Sequence, residues 1–466
     1  MHFIVSTNVK KADAATQRLI RSQVMMGKNR GKSLRAKQRR STSWAVVVDA
    51  KRDPPEPVDT FIDAYHSAKS SIPGRVGSEL SSITLAAELD TAAFADIGRF
   101  FDMIARALFP LVSVTGFSHG DMAWFVPLRF DPAYLHVTVF AAEAFMDRIL
   151  GRQYPTTNRD ATVHFLKGIS ILRKRLSLED ESGKISNSTI AVVLTLAISA
   201  FFMGEVESFK HHMVGLRKMV DLRGGIAAFR GNKLLTEIFR CDIGMAMQSG
   251  SEPVFFKDLV SEPLVPFPDQ EMLSIRNSTG GAGSMRNSER SLPMLDERLH
   301  EVWTVMERFC SIVNLAVETQ LMLSPQLLYD TIASVMYRLL HMSFDSGSVD
   351  EAVRLSLLGL THHMFLKWQY LQLPYLHFPS LFRKCLLNPE LMSAASPQIM
   401  IWFLMVGAVT AFTTSDHSWL KECLRQHIDR CQVTSWNDMR TVLKSFMWIG
   451  LLHDIPGKEV FDSVLS

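Results

Sequence analysis

Ser188-Thr-Ile-Ala-Val-Val-Leu-Thr-Leu-Ala-Ile-Ser-Ala-Phe-Phe-Met203 decides how the rest of this 466-residue chain is read. The stretch is apolar on every side and holds no charged residue. Its apolar run, Ile190–Met203, falls short of the ~18–20 residues that a membrane span needs. An apolar surface without a polar stripe implies a helix buried on all sides. The run Ile399–Phe412 reads the same way. Two such helices need other helices around them, so the flanking sequence should carry a helical period.

It does. Val206–Leu222 follows, and Gly224-Gly225 stops it as a C-terminal cap would. Before the central run, Ser82–Phe109 places Leu85, Leu89, Phe94, Ile97, Phe101, Ile104 and Leu108 three and four residues apart. Asp59–Ser70 and Pro132–Leu150 are further helices, and Asp160–Leu178 puts Phe165, Ile169, Leu172 and Leu176 on one face. Asn232–Gln248 is another. The period resumes at Leu295–Glu318, Gln326–Met342, Val349–Gln372, Ser396–Thr413, Ser418–Gln432 and Trp436–His453. Alternation with period two is brief and occurs only at Trp44–Val48 and Val112–Thr115. The expected fold is an all-α multi-helix array.

Two segments fall outside the helical pattern. Residues 252–293 hold five prolines and the Ser/Asn/Gly-rich run Ser274–Ser291, which reads as a flexible linker. Residues 1–52 form a basic N-terminal arm, closed off by Pro54, Pro55 and Pro57. The expected organisation is therefore arm 1–52, helical half 53–251, linker 252–293 and helical half 294–466.

Net charge is +3, which hides an asymmetry. Residues 1–40 contain 11 Lys and Arg against one acid, Asp13, and carry +10, leaving −7 on the remainder. Such a split suits a polyanion or an import receptor. Arg18, Arg21, Lys28, Arg30, Lys32, Arg35, Lys37, Arg39 and Arg40 are the candidate phosphate-contacting or nuclear-localisation residues. No aromatic residue interleaves Lys28–Arg40, which argues against stacking on single-stranded nucleic acid. Met1–Ser22 has no apolar signal-peptide core. The five cysteines are widely spaced without a C-x-x-C pair, as expected of free thiols in a reducing compartment.

Motifs for catalysis are sparse. Gly116-Phe-Ser118-His-Gly120 matches the G-x-S-x-G nucleophile elbow, with Leu111–Thr115 as the strand it needs. The alternating strand–helix units of that fold are missing, and a surface loop is the plainer reading. His211-His212 and His362-His363 are adjacent pairs whose side chains diverge by ~100° on a helix, so they read as polar or half-buried helix residues rather than chelators. Gly280-Gly-Ala-Gly283 lacks the Lys-Ser/Thr of a phosphate loop. No metal set and no cofactor motif is expected.

Three segments together resemble the fungal-specific transcription factor domain family. Arg18-Leu-Ile-Arg-Ser-Gln-Val-Met-Met-Gly-Lys-Asn-Arg-Gly-Lys32 is similar to the family's R-S-H-V-M-x-x-N-R arm, with Gln23 where His is usual. His212-Met-Val-Gly-Leu-Arg-Lys-Met-Val-Asp-Leu-Arg-Gly-Gly225 resembles its H-x-x-G-L-x-x-M-V-x-L-R-G-G helix, here His212, Gly215, Leu216, Met219, Val220, Leu222, Arg223, Gly224 and Gly225. Phe446-Met-Trp-Ile-Gly-Leu-Leu-His-Asp-Ile-Pro-Gly457 resembles the C-terminal F-x-W-I … P-G ending. The middle motif read physically is a helix and its stop, with Val214, Leu216, Met219 and Val220 packing inward and Arg223 free to bond helix carbonyls.

The resemblance implies a nuclear transcription regulator, for example of a secondary-metabolite pathway, with an α-helical regulatory domain. Many members begin with a six-cysteine binuclear zinc cluster that binds DNA. This sequence departs there, because no cysteine precedes Cys241. The implied partners are other transcription factors or co-regulators, with DNA contacted indirectly or weakly through the arm. No membrane is expected, and a homo-oligomer stays open. Two alternatives stand beside this reading: a helical scaffold or adaptor without DNA contact, and a serine hydrolase built on Ser118.

Overall fold

The computed structural model describes residues 85–465, apart from 90–92, 95, 102–109, 116–124, 150–158, 179–180, 230, 258, 260–261, 265, 268–293, 366–376 and 414–415. These residues belong to one compact unit, residues 56–466. Among them every regular element is a helix. The expected helix at 59–70 and the period-two stretch at 44–48 lie outside the described residues.

In the first half, α1 (Val112–Thr115) and α2 (Phe125–Leu128) are single turns. They lead into α3 (Pro132–Ile149), α4 (Arg159–Ser177), α5 (Glu181–Lys184), α6 (Asn187–Met203), α7 (Val206–Leu222) and α8 (Lys233–Ser249). The second half holds α9 (Glu297–Thr319), α10 (Pro325–Leu340), α11 (Val349–Phe365), α12 (His377–Leu386), α13 (Pro389–Ala394), α14 (Pro397–Thr410), α15 (His417–Cys431), α16 (Trp436–Lys444) and α17 (Gly450–Leu465).

Local chemistry sets many of the N-termini and some C-termini. Side chains of Ser186, Asn232, Asp296, Ser324, Asn388, Ser396 and Ser435 accept from the orphan N–H groups of first turns. Ser435 and Asp438 close a full capping box on α16. Gly204 and Gly250 end α6 and α8 in the left-handed conformation.

The two all-apolar helices are the hubs. Helix α6 packs between α3 and α7 and also touches α8, which explains why it has no polar stripe. The stretch 182–203 is long and apolar enough to cross a bilayer, an 18-residue part of it reaching a mean hydropathy of 1.8, yet 67% of that part is buried inside the protein. Its apolarity is that of a core helix. Helix α14 plays the same part in the second half, against α11, α12, α15, α16 and α17. The halves meet where α8 packs on α10 and α12, and one continuous apolar core runs through both.

Packing fixes one close crossing. A Cβ on Gly168 of α4 would stand 2.6 Å from Cγ2 of Val137 on α3, so glycine lets these helices approach. Asp131 then ties three helices at one point. It caps α3 through Ala133 N–H and Tyr134 N–H, accepts both Arg175 guanidinium nitrogens from α4, and accepts Ser188 Oγ–H from α6. Burial pushes the Asp131 carboxyl up, but Arg175 and Ser188 outweigh it and hold the group below the usual carboxylate range.

The structure departs from the sequence reading at several places. Residues 85–89 are non-helical, whereas 93–94 and 96–101 are helical. Val112–Thr115 is a helical turn instead of a strand. Leu176 is exposed, because Arg175 takes the inward position to reach Asp131. The stretch expected as one helix over Trp436–His453 is two helices with a buried break at 446–449. Helix α11 is described as far as Phe365, the rest of the expected helix to Gln372 lying outside the described residues, and α12 and α13 have no counterpart in the sequence reading. The expected linker starts with a packed strap: Phe255 and Phe256 are buried against Phe239, while the Ser/Asn/Gly-rich part lies outside the described residues.

Candidate functional site

The motif helix α7 and its stop form as the residues dictate. Gly225 N–H donates to Val220 O at 2.9 Å and Gly224 N–H to Asp221 O at 3.0 Å, the paired bonds of a Schellman ending. Both glycines have positive φ, +105° and +77°, which other residues adopt at a penalty. Leu216 and Val220 are buried, with Met213 beside them, and Met219 is half-buried. Val214, expected inward, is exposed, as is Leu222 at 70%. The buried stripe follows Phe209, Met213, Leu216 and Val220, and 214 falls off it.

Arg223 does not bond helix carbonyls. Its guanidinium lies 4.6 Å from the Phe229 ring centre and donates to Asn187 Oδ1, at the start of α6. The residue thus joins the end of α7 to the start of the core helix. His212 is half-buried, and burial lowers its pKa. Gly215 has open space where a Cβ would stand, so packing does not require glycine there.

The basic residues Arg18, Arg21, Lys28, Arg30, Lys32, Arg35, Lys37, Arg39 and Arg40 lie outside the described residues, as does Ser118. The element before Ser118 is the helical turn Val112–Thr115 rather than the strand an esterase elbow requires. No group of three or more metal-ligating side chains occurs among the described residues. Burial pushes the thiols of Cys241, Cys310 and Cys385 well above the ordinary range, which makes them poor nucleophiles.

The second histidine pair is buried, not half-exposed. His362 is held against Phe378, its Nε2 has no hydrogen-bond partner among the described residues, and burial lowers its pKa to about 4. His363 instead reaches His453 of α17. That contact belongs to a knot around the third motif segment. Asn314 donates to Trp448 O and accepts from Gly450 N–H, Trp402 Nε1–H donates to Met447 O, and Trp448 Nε1–H donates to Asp454. The F-x-W-I ending is therefore a packing device.

Two further polar groups cross between the halves of the chain, and sequence reasoning missed both. Arg240 on α8 forms a bidentate pair with Glu237 at 2.7 and 2.8 Å and donates to Phe365 O at 2.8 Å. Its guanidinium also faces the rings of Tyr329 and Phe365. Asp242, one turn away from Glu237 and fully inside, accepts Val254 N–H, Phe255 N–H and Tyr337 Oη–H. Burial pushes its carboxyl up to about 6 against the pull of these donors. The strap 252–257 is thereby pinned to α8 and α10.

Beside the strap lies a cleft of about 400 Å³. Its floor is apolar: Met247, Leu340, Met342, Leu355, Leu358 and Phe378. Glu252, Lys257, His341, Ser343 and His377 stand at the rim. The ends of α8 and α10 border it, through the caps Gly250 and His341. The His377 ring lies directly on Gly250, where a Cβ would come within 2.5 Å of the imidazole. A void of this size falls within the range of small-molecule sites. Single charges and isolated histidines in the sequence carried no sign of it, because its walls come from four separate stretches of chain.

The chain matches no protein-family model, no curated protein and no solved structure.

Proposed function

We propose that this protein is a transcription regulator of the fungal type: a helical regulatory body with a basic arm and no zinc cluster of its own. The observation that carries the reading is the segment His212–Gly225, whose motif pattern coincides with a helix, a double-glycine stop and an arginine that fastens the helix to the core. The charge split supports it, because +10 on residues 1–40 against −7 on the remainder suits nuclear import and loose contact with DNA phosphates. Promoter choice is then supplied by partner transcription factors or co-regulators docked on the body. The reading assigns the protein no catalysis.

The test is localisation with transcript profiling. The intact protein should be nuclear, and replacing Arg35, Lys37, Arg39 and Arg40 by Ala should displace it to the cytoplasm and shift a defined transcript set. A protein excluded from the nucleus, with transcripts unchanged on deletion of the gene, would establish the scaffold alternative. With duplex DNA in vitro, binding should be on the order of 10⁻⁴–10⁻⁶ M at physiological salt, indifferent to sequence and steeply salt-dependent. A hundredfold preference for one promoter would contradict the proposal.

A further inference from the structure

We infer that the outward face of α4 is a docking surface for a helix of another protein, one that carries leucines flanked by aspartate or glutamate. The inference concerns this face alone and does not rest on the transcriptional reading.

The apolar part follows from how α4 uses its sides. Ala161, Gly168 and Leu172 are buried against α3, and Arg175 turns inward to Asp131. The opposite side runs through Val163, Leu166, Ser170, Arg173 and Ser177, alternately three and four residues apart, which sets them along one line. All five are exposed, Leu166 at 60% and Val163 at 40%. Ile169 and Leu176 flank the line on one edge, and Lys167 and Lys174, one heptad apart, flank it on the other. That is the layout of a two-helix seam, with apolar residues in the line and charge beside it. The solvent face of α15 differs: Glu422, Arg425, Gln426, Asp429 and Arg430 are polar throughout and of both signs.

The sign of the partner follows from the charges. Lys167, Arg173 and Lys174 are exposed and form no ion pair among the described residues. Helix α4 holds a single acid, Asp160, in its first turn. The helix itself is fixed in place, by the close crossing at Gly168 and by the Arg175–Asp131 bridge. Unpaired cations beside exposed Val and Leu on a rigid helix select a partner whose carboxylates flank its own apolar residues.

Other occupants fit the face less well. A second copy laid antiparallel on the same line brings the two lysine edges together, and laid parallel it sets Arg173 against Arg173, so like charges oppose self-pairing. Nucleic-acid phosphates would pair the cations but leave Val163 and Leu166 without a partner. A helix on a bilayer surface segregates its apolar side from its cations. Here Leu166 and Arg173 share one line, and burying the first in lipid would carry the second with it.

Three designed peptides, each of three heptads and fluorescently labelled, test this with the full chain by anisotropy. The first has Leu at a and d and Glu at e and g; the second has Ser in place of Leu; the third has Lys in place of Glu. The Leu/Glu peptide should bind with Kd on the order of 10⁻⁵ M, and the other two more weakly by about tenfold or more. The Ser/Glu peptide reports pairing with the basic residues 1–40, which needs no leucine. Leu166→Asp should weaken the Leu/Glu peptide by about tenfold, with unchanged melting because the site is exposed. Lys167→Glu combined with Lys174→Glu should weaken it likewise and strengthen the Leu/Lys peptide by about tenfold, a swap that misfolding cannot produce. If Leu166→Asp unfolds, the charge reversal carries the test alone. Binding of the Leu/Glu peptide that is unchanged in the folded variants, or matched by the Ser/Glu peptide, would overturn the inference. So would self-association in sedimentation, or binding to phosphatidylserine vesicles, that is lost with Leu166→Asp, since the face would then belong to a second copy or to a membrane.

Discussion

His363 Nδ1 lies 3.1 Å from Nε2 of His453, in two buried rings inclined by only 26°. Ile449 N–H donates to Nδ1 of His453, which places the ring hydrogen on Nε2, where it donates to His363. The bond joins α11 to α17 across ninety residues of chain and closes the knot around Trp448.

His453→Ala should therefore destabilise the protein by about 2–4 kcal/mol, from a cavity plus a buried nitrogen left without its donor. The double variant with His363→Ala should be less destabilised than the sum of the singles, with a coupling of at least about 0.5 kcal/mol by denaturant unfolding. Strict additivity would mean that the contact contributes nothing.

The Glu237–Arg240 pair should be costly to break from one side. Glu237→Ala takes the paired carboxylate away from a buried guanidinium and should cost about 3–5 kcal/mol. Replacing both residues by Met should recover most of that loss in urea midpoints, since the burden is the unpaired charge. A single variant within 1 kcal/mol of the parent, on the order of a surface pair, would refute this.

Stability should fall as pH drops from about 6.5 towards 4. Burial lowers His362 to about 4, and burial followed by the His164 charge lowers His136 to about 4, so the unfolded chain binds more protons across this window. Asp242 acts oppositely: with its carboxyl raised to about 6, the folded state binds the extra proton between about 4 and 6. His212 and His427 are lowered by burial as well, and a net loss of stability between about pH 7.5 and 5 is expected. Unfolding free energies across that range check the slope. His362→Leu should flatten it and Asp242→Asn should steepen it.

Two glycines should respond in opposite directions to alanine. Gly215 sits in a helix with open space around its Cβ position, so Gly215→Ala should stabilise by about 0.5–1 kcal/mol. Gly457 sits under two indoles, with Trp448 Cζ2 at 2.8 Å and Trp436 Cη2 at 3.0 Å from a Cβ, and Gly457→Ala should destabilise by about 1–3 kcal/mol. Thermal melts decide both. If Gly215→Ala is more stable yet loses transcriptional effect, the glycine serves a partner instead of the fold.

The sequence by itself determined the elements whose patterns are local. Val206–Leu222 and its glycine stop, the core helix ending at Met203 and the Pro-initiated helix through Thr410 are read from periods and caps, and a cap needs only its own neighbours. The same holds for the class of fold, since two helices without a polar face admit only helical surroundings here. What a side chain meets across the chain was decided by tertiary structure alone. Arg175 looks like part of a solvated basic run until Asp131 is placed beside it. The break at 446–449 carries good helical residues, but Asn314 and Trp402 take up its backbone groups from other helices. The strap reads as linker by its prolines, yet the buried Asp242 carboxylate gives the N–H groups of Val254 and Phe255 a partner that local sequence cannot supply. The cleft belongs to the same class. Four stretches that are separately unremarkable in sequence enclose a volume only after helix packing has fixed where each one stands.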